Sequence, residues 1–420
     1  MRNKPLLPLP LRLALWIGWL LLVTFGAWGF FGRLFLGRDD ANYGSYIIWG
    51  LWVAAYIYFI GLSAGSFLLS SMIYVFGFKN LEKIGRISLF TAIITLLMAL
   101  TCIWCDLGHM WRSYRMIISP NFGSMMAWMV WLYSAYTVIM LVELWLAMRS
   151  DLSRWQSRPG LCGLVGLLAF NRGPLSPKQE TWSHHWLKVF AIVGVPLAIA
   201  FHGGVGALFS TLSARPFWHT PLMPILFLTG ALVSGGGLMA FVVATVYPHR
   251  GEEQRRMVCF IGKAVLGLLV FDIILEWAEF SIPMWYGVGH EYDLLMRVLF
   301  GQFWWVFWIV HFGLGSVIPA LLLVFRGNKT WSVATAGILI AVTFMTVRLN
   351  IVIPGLIDPH LRGLQSAFTD DRLRFWYVPS FFEWEIIMFV VAMGTALFYL
   401  GFRFLPLVDQ SPSKPQARPL

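Results

Sequence analysis

Apolar residues in this chain come in long unbroken runs, separated by short clusters of glycine, proline and charge. A membrane-spanning helix needs about 20 predominantly apolar residues. Ten runs meet that length, at 11–32, 46–76, 84–105, 123–148, 186–212, 221–247, 257–280, 299–325, 331–350 and 380–405. None shows the period-two alternation of a transmembrane β-strand, so the pattern predicts an all-α polytopic membrane protein with about ten transmembrane helices. The first run, Leu11 to Phe31, lacks a small-residue cleavage site and is expected to stay as a helix rather than be removed as a signal peptide. A weaker run, Leu161 to Phe170, is too short to span and is expected to be re-entrant or interfacial.

Composition narrows the class further. Of the 420 residues, 58% are hydrophobic and only 12% are charged, against about 25% charged in soluble domains. Little chain remains for a separate soluble catalytic domain, which excludes a self-contained Rossmann, barrel or hydrolase enzyme. The formal charge of +11 belongs to topology rather than to nucleic acid, because Lys and Arg are retained on the cytoplasmic side. With ten spans both termini share one side, and that side carries 21 of the 31 basic residues against 10 on the other. The bias puts both termini in the cytoplasm.

Glycines hint at internal duplication. Gly61-Leu-Ser-Ala-Gly65 in span 2 and the glycines from Gly230 to Gly237 in span 6 sit at similar depth, consistent either with a repeated four-helix unit or with ordinary close helix packing. The expected organisation is an N-terminal helix and external loop (1–45), a first four-helix bundle (46–212), a second four-helix bundle (213–350), an external loop with the last helix (351–407) and a disordered Pro- and Ser-rich tail (408–420).

Ionisable residues inside spans are costly and carry most of the chemical information. Span 3 ends in Asp106-Leu-Gly-His109, followed by Arg112 and Arg115. This sets an acid, an imidazole and two fixed cations at the external surface, fit either to bind a polar headgroup and relay protons or to anchor a helix end. A flat ring could enter there beside Trp128 and the Gly61–Gly65 face. In the second half His202, Asp272, Glu276, His311 and Arg348, with Asn350, share the external half of the membrane. Asp272 and Glu276 lie i, i+4 on one helix face and would not both ionise without a nearby cation. These five, with Glu143 toward the cytoplasmic end of span 4, are the candidates for proton transfer; the alternative is a satisfied buried cluster that locks helices. Glu383 and Glu385, at the external start of span 10, fit an interfacial role.

The cysteines offer no redox site. Cys102 and Cys105 form a C-x-x-C inside an apolar helix where thiolates are disfavoured, and Cys162 and Cys259 supply no second pair. No C-x-x-C-H is present for c-type haem, and His202 and His311 lack the partners that two b-type haems would need. No haem, metal or iron–sulfur cluster is therefore expected in the chain, and the many Trp and Phe suit interfacial belts.

Several motifs together resemble one family. Asp106-Leu-Gly-His109-Met-Trp-Arg112 leading to Ser119-Pro120-Asn121-Phe122-Gly123-Ser124 resembles the signature of the NrfD/PsrC (polysulfide reductase membrane subunit) family. His202-Gly-Gly and Ala214-Arg-Pro216-Phe-Trp218-His219 resemble a connection in that family. Arg348-Leu-Asn350 and Tyr377-Val-Pro379-Ser380 with Glu383 resemble its ten-helix branch, which includes QrcD-, HmcC-, DsrP-, HybB- and ActC-type subunits. The resemblance implies a cofactor-free helical subunit that binds menaquinone or another quinone near the external surface of the first bundle, by Asp106, His109, Arg112, Trp128, Gly61 and Gly65. It implies electron exchange with a ferredoxin-like iron–sulfur subunit on the external face, and beyond that a molybdopterin-type or multihaem cytochrome c partner. A secondary transporter or proton channel without a redox role, or a passive anchor, are the competing classes. A transporter predicts interrupted helices around a midplane site, and a passive anchor leaves Asp106, Asp272 and Glu276 without a purpose.

Overall fold

Each apolar run closes into one helix, because in hydrocarbon an unpaired backbone N–H or C=O has no other partner. The computed structural model describes residues 9–171, 173–359, 361, 363–367, 370 and 373–408. Among the described residues, ten helices are long and apolar enough to cross a membrane: α1 Leu9–Phe35, α2 Leu51–Phe76, α3 Gly85–Asp106, α4 Met125–Trp155, α5 Pro177–Ser210, α6 Met223–Val246, α7 Glu252–Tyr286, α8 Val306–Arg326, α9 Thr330–Ile357 and α10 Phe381–Phe404. Described residues outside them form short helices, turns and loops, with no strand. The tail expected to be disordered lies, apart from its first residue, outside the described residues.

Local chemistry accounts for where these helices stop. Gly77 and Gly287 take left-handed conformations (φ +70 and +65) at the C-termini of α2 and α7, a conformation that a side chain would strain. Ser176 with Gln179 and Ser380 with Glu383 form capping boxes at the starts of α5 and α10. After α7 the positive-φ Gly287 and Gly289 turn the chain. A short amphipathic helix, His290–Leu299, then buries Leu294, Leu295 and Val298, so α8 begins at Val306 rather than near 299. The first part of α8, Val306–Val317, is wound with π-helical turns and carries His311. Residues 161–169 form two short helical turns on the end of α4, fastened by Trp145 Nε1 donating to Leu168 O at 2.8 Å, while Leu161, Leu164, Leu167 and Phe170 stay exposed.

Two groups of four helices share one plan. In the first unit α2 packs on α3, α3 on α4, α4 on α5 and α5 back on α2. The second unit, α6 to α9, repeats that order of neighbours. The units meet through their first helices, and the last helix of each also packs on the first of the other, α5 on α6 and α9 on α2. Four crossings return the chain to its starting side, so both units run in the same sense, as in parallel membrane repeats. At the contact, a Cβ on Gly65 would come within 2.2 Å of Ala231 O, and one on Gly235 within 2.6 Å of Gly65 Cα. The two glycine motifs thus face each other and let the backbones approach. Outside the units, α1 and α10 pair, with Phe30 stacked on Phe389 at 4.1 Å, and α10 lies against α3.

Candidate functional site

The first unit opens a cavity of about 560 Å³ at the end where α3 finishes. Its walls are mostly apolar: Val53 and Tyr56 of α2, Ile103 and Trp104 of α3, Met129 and Tyr133 of α4, and Phe209 of α5. Met116 and Ile117 cover it from the short helix Arg115–Ile118, which has no buried residue of its own. The charged group in the wall is Asp106, 8% exposed, whose Oδ1 has no hydrogen-bond partner.

Asp106 is the last residue of α3, and a carboxylate at a helix C-terminus opposes the helix dipole. Two arginines from outside the unit offset this. Arg33 of α1, only 3% exposed, donates from Nε to Cys105 O at 2.7 Å and from Nη2 to Leu107 O at 2.5 Å. Arg38 Nη1 donates to Asp106 O at 3.3 Å. Both guanidinium groups thereby satisfy carbonyls left open where α3 stops.

Tyr43, in the loop after α1, faces the Asp106 carboxylate without a hydrogen bond of ordinary geometry. Burial, together with the carboxylates of Asp106 and Glu383, pushes the Tyr43 phenol well above its usual range, so it stays a neutral donor. Behind it lies a fully bonded node: Tyr377 donates to Glu383 and accepts from Leu51 N at 2.7 Å, while Glu383 also accepts from Asn42 N at 3.0 Å. Burial and Glu383 likewise raise the Tyr377 phenol. Glu383 therefore ties α10, the start of α2 and the loop before it behind the Asp106 corner.

Of the six residues grouped by sequence reading around a ring site, only Asp106 lines this cavity. His109 and Arg112 are exposed beyond the end of α3. Trp128 is 49% exposed and donates to Phe122 O at 2.9 Å. Gly61 and Gly65 face α6 rather than the cavity, because the close contact between units takes the small-residue face of α2. Tyr43, Arg33 and Arg38 were missed. Arg33, a basic residue at the end of an apolar span, is the one with a legible signal.

The second unit has a cavity in the corresponding place, of about 50 Å³ and of opposite character. Asp272, Glu276, Glu279, His311, Arg348 and Asn350 line it. Asp272 Oδ1 accepts from Thr229 Oγ1 at 2.8 Å, Glu279 Oε2 accepts from Thr220 Oγ1 at 3.2 Å, and His311 Nε2 lies 3.6 Å from Glu276 Oε2. Arg348 reaches over Gly230, where a Cβ would come within 2.8 Å of Nη2, and donates to Phe227 O at 3.3 Å. His202, from α5 of the first unit, has Nε2 at 2.8 Å from the same carbonyl. It lies outside the cavity lining yet shares an acceptor with Arg348. Glu143 is in neither cavity: it is completely buried within the first unit against Gly194 of α5, with no partner on either carboxylate oxygen.

Among the described residues no three His, Cys, Asp or Glu side chains gather to hold a metal ion, and Cys102 and Cys105 are buried free thiols.

Comparison with known proteins agrees with this architecture. The chain is 34% identical over 388 residues to the C subunit of selenate reductase from Mesobacillus selenatarsenatis, covering 90% of each chain. It is 27% identical to the Hdr-like menaquinol oxidoreductase integral membrane subunit of Archaeoglobus fulgidus, over 86% of this chain and 85% of the relative. It is 21% identical to the menaquinone reductase integral membrane subunit of Nitratidesulfovibrio vulgaris, over 93% and 92%. The family model described as polysulphide reductase, NrfD, matches residues 40–359, from the loop after α1 to the end of the second unit. The protein, a multi-pass α-helical membrane protein, belongs to the polysulphide reductase NrfD family.

Proposed function

We propose that this chain is the quinone-reactive membrane subunit of a respiratory oxidoreductase, with the quinone ring held in the first-unit cavity. The observation that carries the reading is a cavity of about 560 Å³, mostly apolar, with one buried carboxylate at its wall that keeps an unbonded oxygen. That volume falls within the roughly 300–1,000 Å³ of small-molecule sites, where apolar walls bind and a few polar groups orient. Asp106 takes or gives the proton at a ring oxygen, and Tyr43 supplies a neutral O–H behind it. Arg33 and Arg38 hold the α3 terminus so that the carboxylate stays at the wall. The names of two relatives, a menaquinol oxidoreductase subunit and a menaquinone reductase subunit, support menaquinone as the substrate.

The chain does not catalyse the reaction alone. Electrons pass to or from an iron–sulfur subunit docked on the Asp106 side, and a catalytic subunit of the kind implied by the selenate reductase relative completes the complex. The twofold excess of Lys and Arg on the opposite side supports both termini in the cytoplasm and the Asp106 side outside the inner membrane. The acidic cluster of the second unit, Asp272 and Glu276 with His311 and Arg348, is a second group for proton transfer, with His202 bonded beside it. A passive anchor would need neither cavity nor unpartnered carboxylate.

The test uses the assembled complex in membranes. Asp106→Asn keeps shape and removes the proton-transferring group, so quinone-linked turnover collapses while dye-linked activity of the partner subunits persists. Retained turnover with menaquinol or menaquinone would overturn the assignment. Cysteines introduced at Ser119 and Ser213 react from outside whole cells when the partner is absent; labelling only after the cytoplasmic side is exposed would overturn the orientation.

A further inference from the structure

The connection between α4 and α5 turns back toward the bilayer. Its two short helical turns, residues 161–169, run along the outside of α4, and their contacts give the direction. Gly166 lies against the end of α4: a Cβ there would come within 2.6 Å of Gln156 N and 2.9 Å of Leu152 O, and Gly166 O accepts from Gln156 Nε2 at 3.1 Å. Leu168 O, two residues on, accepts from Trp145 Nε1, and the Phe170 ring lies 6.0 Å from that of Trp145. Positions 145 and 156 are about 16 Å apart along a helix axis. The segment therefore descends from the end of α4 to the level of Trp145, inside the apolar run at 123–148.

Two features fit this stretch to a setting poor in water. The first is that side chains bond its carbonyls. Ala169 O accepts from Arg149 Nε at 3.3 Å and Asn171 O from Gln156 Nε2 at 2.6 Å, beside the bonds to Gly166 and Leu168. Water supplies such partners to a loop on an aqueous surface, whereas irregular backbone at membrane depth must find them in the protein. The second is the apolar surface. Leu161, Leu164, Leu167, Leu168 and Phe170 are all exposed. Phe170 takes a left-handed backbone (φ +50), the one non-glycine residue with positive φ among the described residues, a conformation unfavourable for a bulky side chain.

Tryptophan and positive charge border these apolar residues. The Arg149 guanidinium lies between Trp145 and Trp182, 5.1 and 5.4 Å from their ring centroids, and Trp182 and Trp186 are exposed near the start of α5. Arg154 and Arg158 are exposed at the end of α4. Arg158 stands beside the segment, since a Cβ on Gly163 would come within 2.4 Å of its carbonyl oxygen. The contacts of Arg154 with Asp151 and Glu180 are long, 3.5 and 3.8 Å. Residues 149–188 carry six Lys or Arg against two Asp or Glu, and one of those acids, Asp151, is buried and paired with Arg86. Apolar side chains at depth, with tryptophan and cations at their edge, match the acyl chains and the phosphodiester of an acidic phospholipid. We propose that residues 161–170, with Arg154 and Arg158, hold such a lipid in the leaflet away from Asp106. Its acyl chains lie on Leu164, Leu167, Leu168 and Phe170, and its phosphate accepts hydrogen bonds from the two guanidinium groups. This site is independent of what the first-unit cavity binds.

Two measurements test the site, on the full chain in lipid nanodiscs and on the assembled complex. A nitroxide is attached at Leu164→Cys, with Cys162→Ser and Cys259→Ser removing the thiols that are not buried. Oxygen relaxes it more than a water-soluble nickel chelate does. The reverse order overturns insertion into the leaflet. Protection from both reagents that appears only on assembly means that a partner subunit covers the segment, and overturns the lipid assignment. Native mass spectrometry then measures binding of phosphatidylglycerol and of phosphatidylcholine. The wild type favours phosphatidylglycerol. Arg154→Gln with Arg158→Gln weakens that binding about 25-fold, at about fivefold for each basic residue near an anionic surface, while Arg154→Lys with Arg158→Lys keeps most of it. Thermal unfolding in phosphatidylcholine stays at the wild-type value in both double variants. Equal binding of the two lipids by the wild type overturns the proposal without recourse to any variant. So does wild-type phosphatidylglycerol binding in the folded glutamine variant, or displacement of the lipid by inorganic phosphate.

Discussion

The two four-helix units use one order of packing and put a cavity at one level, yet those cavities differ about tenfold in volume. In the first, tyrosines, methionines and branched side chains leave open space around a single carboxylate. In the second, three acids, a histidine and an arginine fill the space, two acids bonded to threonines, the third beside the histidine and the arginine bonded to the Phe227 carbonyl. Repetition supplies the scaffold, while the residues at a few equivalent positions decide whether it encloses open apolar space or a charge cluster. The difference also separates two kinds of buried charge. Asp106 keeps an unpartnered oxygen at the edge of an open space, whereas Asp272 and Glu276 sit among groups that bond or counter them.

The largest test of this contrast is Asp106→Asn, expected to lower quinone turnover by about 100-fold, the lower end of acid–base effects spanning ~10²–10⁴; steady-state kinetics on membranes check it. Arg33→Met follows. It removes two charge-assisted hydrogen bonds to the end of α3, and loses about 3 kcal/mol of stability, read by thermal unfolding in detergent. Wild-type stability would mean that α1 does not hold the Asp106 corner. Tyr43→Phe comes next, with about a tenfold loss of turnover for a supporting proton donor. Because burial and neighbouring carboxylates raise the phenol, its neutral form is the stable one below its usual pKa of about 10. The deficit relative to wild type is therefore constant from weakly acidic to weakly alkaline pH, and a deficit that vanishes within that range would refute the donor role.

Asp272→Asn and Glu276→Gln bear on the other side of the comparison. In proteoliposomes of the assembled complex they are expected to reduce quinone-dependent membrane potential more than turnover. A turnover loss equal to that of Asp106→Asn would abolish the functional distinction between the units. The smallest effect is expected for His109→Ala. Its side chain is exposed beyond the cavity, so turnover changes by no more than about twofold, corresponding to the ~0.5 kcal/mol scale of exposed substitutions. A loss matching Asp106→Asn would return His109 to the ring site.

Features that depend on local order were legible in the chain alone. Ten apolar runs became ten helices because length and hydropathy suffice when the backbone must bond to itself in lipid, and capping serines and glycines marked several ends. Asp106 was legible as a candidate because an acid at the end of an apolar span is costly wherever the helix packs, and it lines the first-unit cavity. Of the group read from depth, His202, Asp272, Glu276, His311 and Arg348 with Asn350, all but His202 line one cavity. Tertiary structure decided what depth cannot: which face of a helix meets which neighbour. It turned Gly61 and Gly65 toward α6, enclosed Glu143 inside the first unit, left His109, Arg112 and Trp128 outside, and brought Arg33, Tyr43 and Glu383 behind Asp106. The Arg33 bond to Cys105 O and the Glu383 bond from Asn42 N join residues 72 and 341 positions apart. Helices this uniformly apolar carry little facial signal of their own, so the close approach of small residues and the capping of open carbonyls, both products of packing, set their rotation.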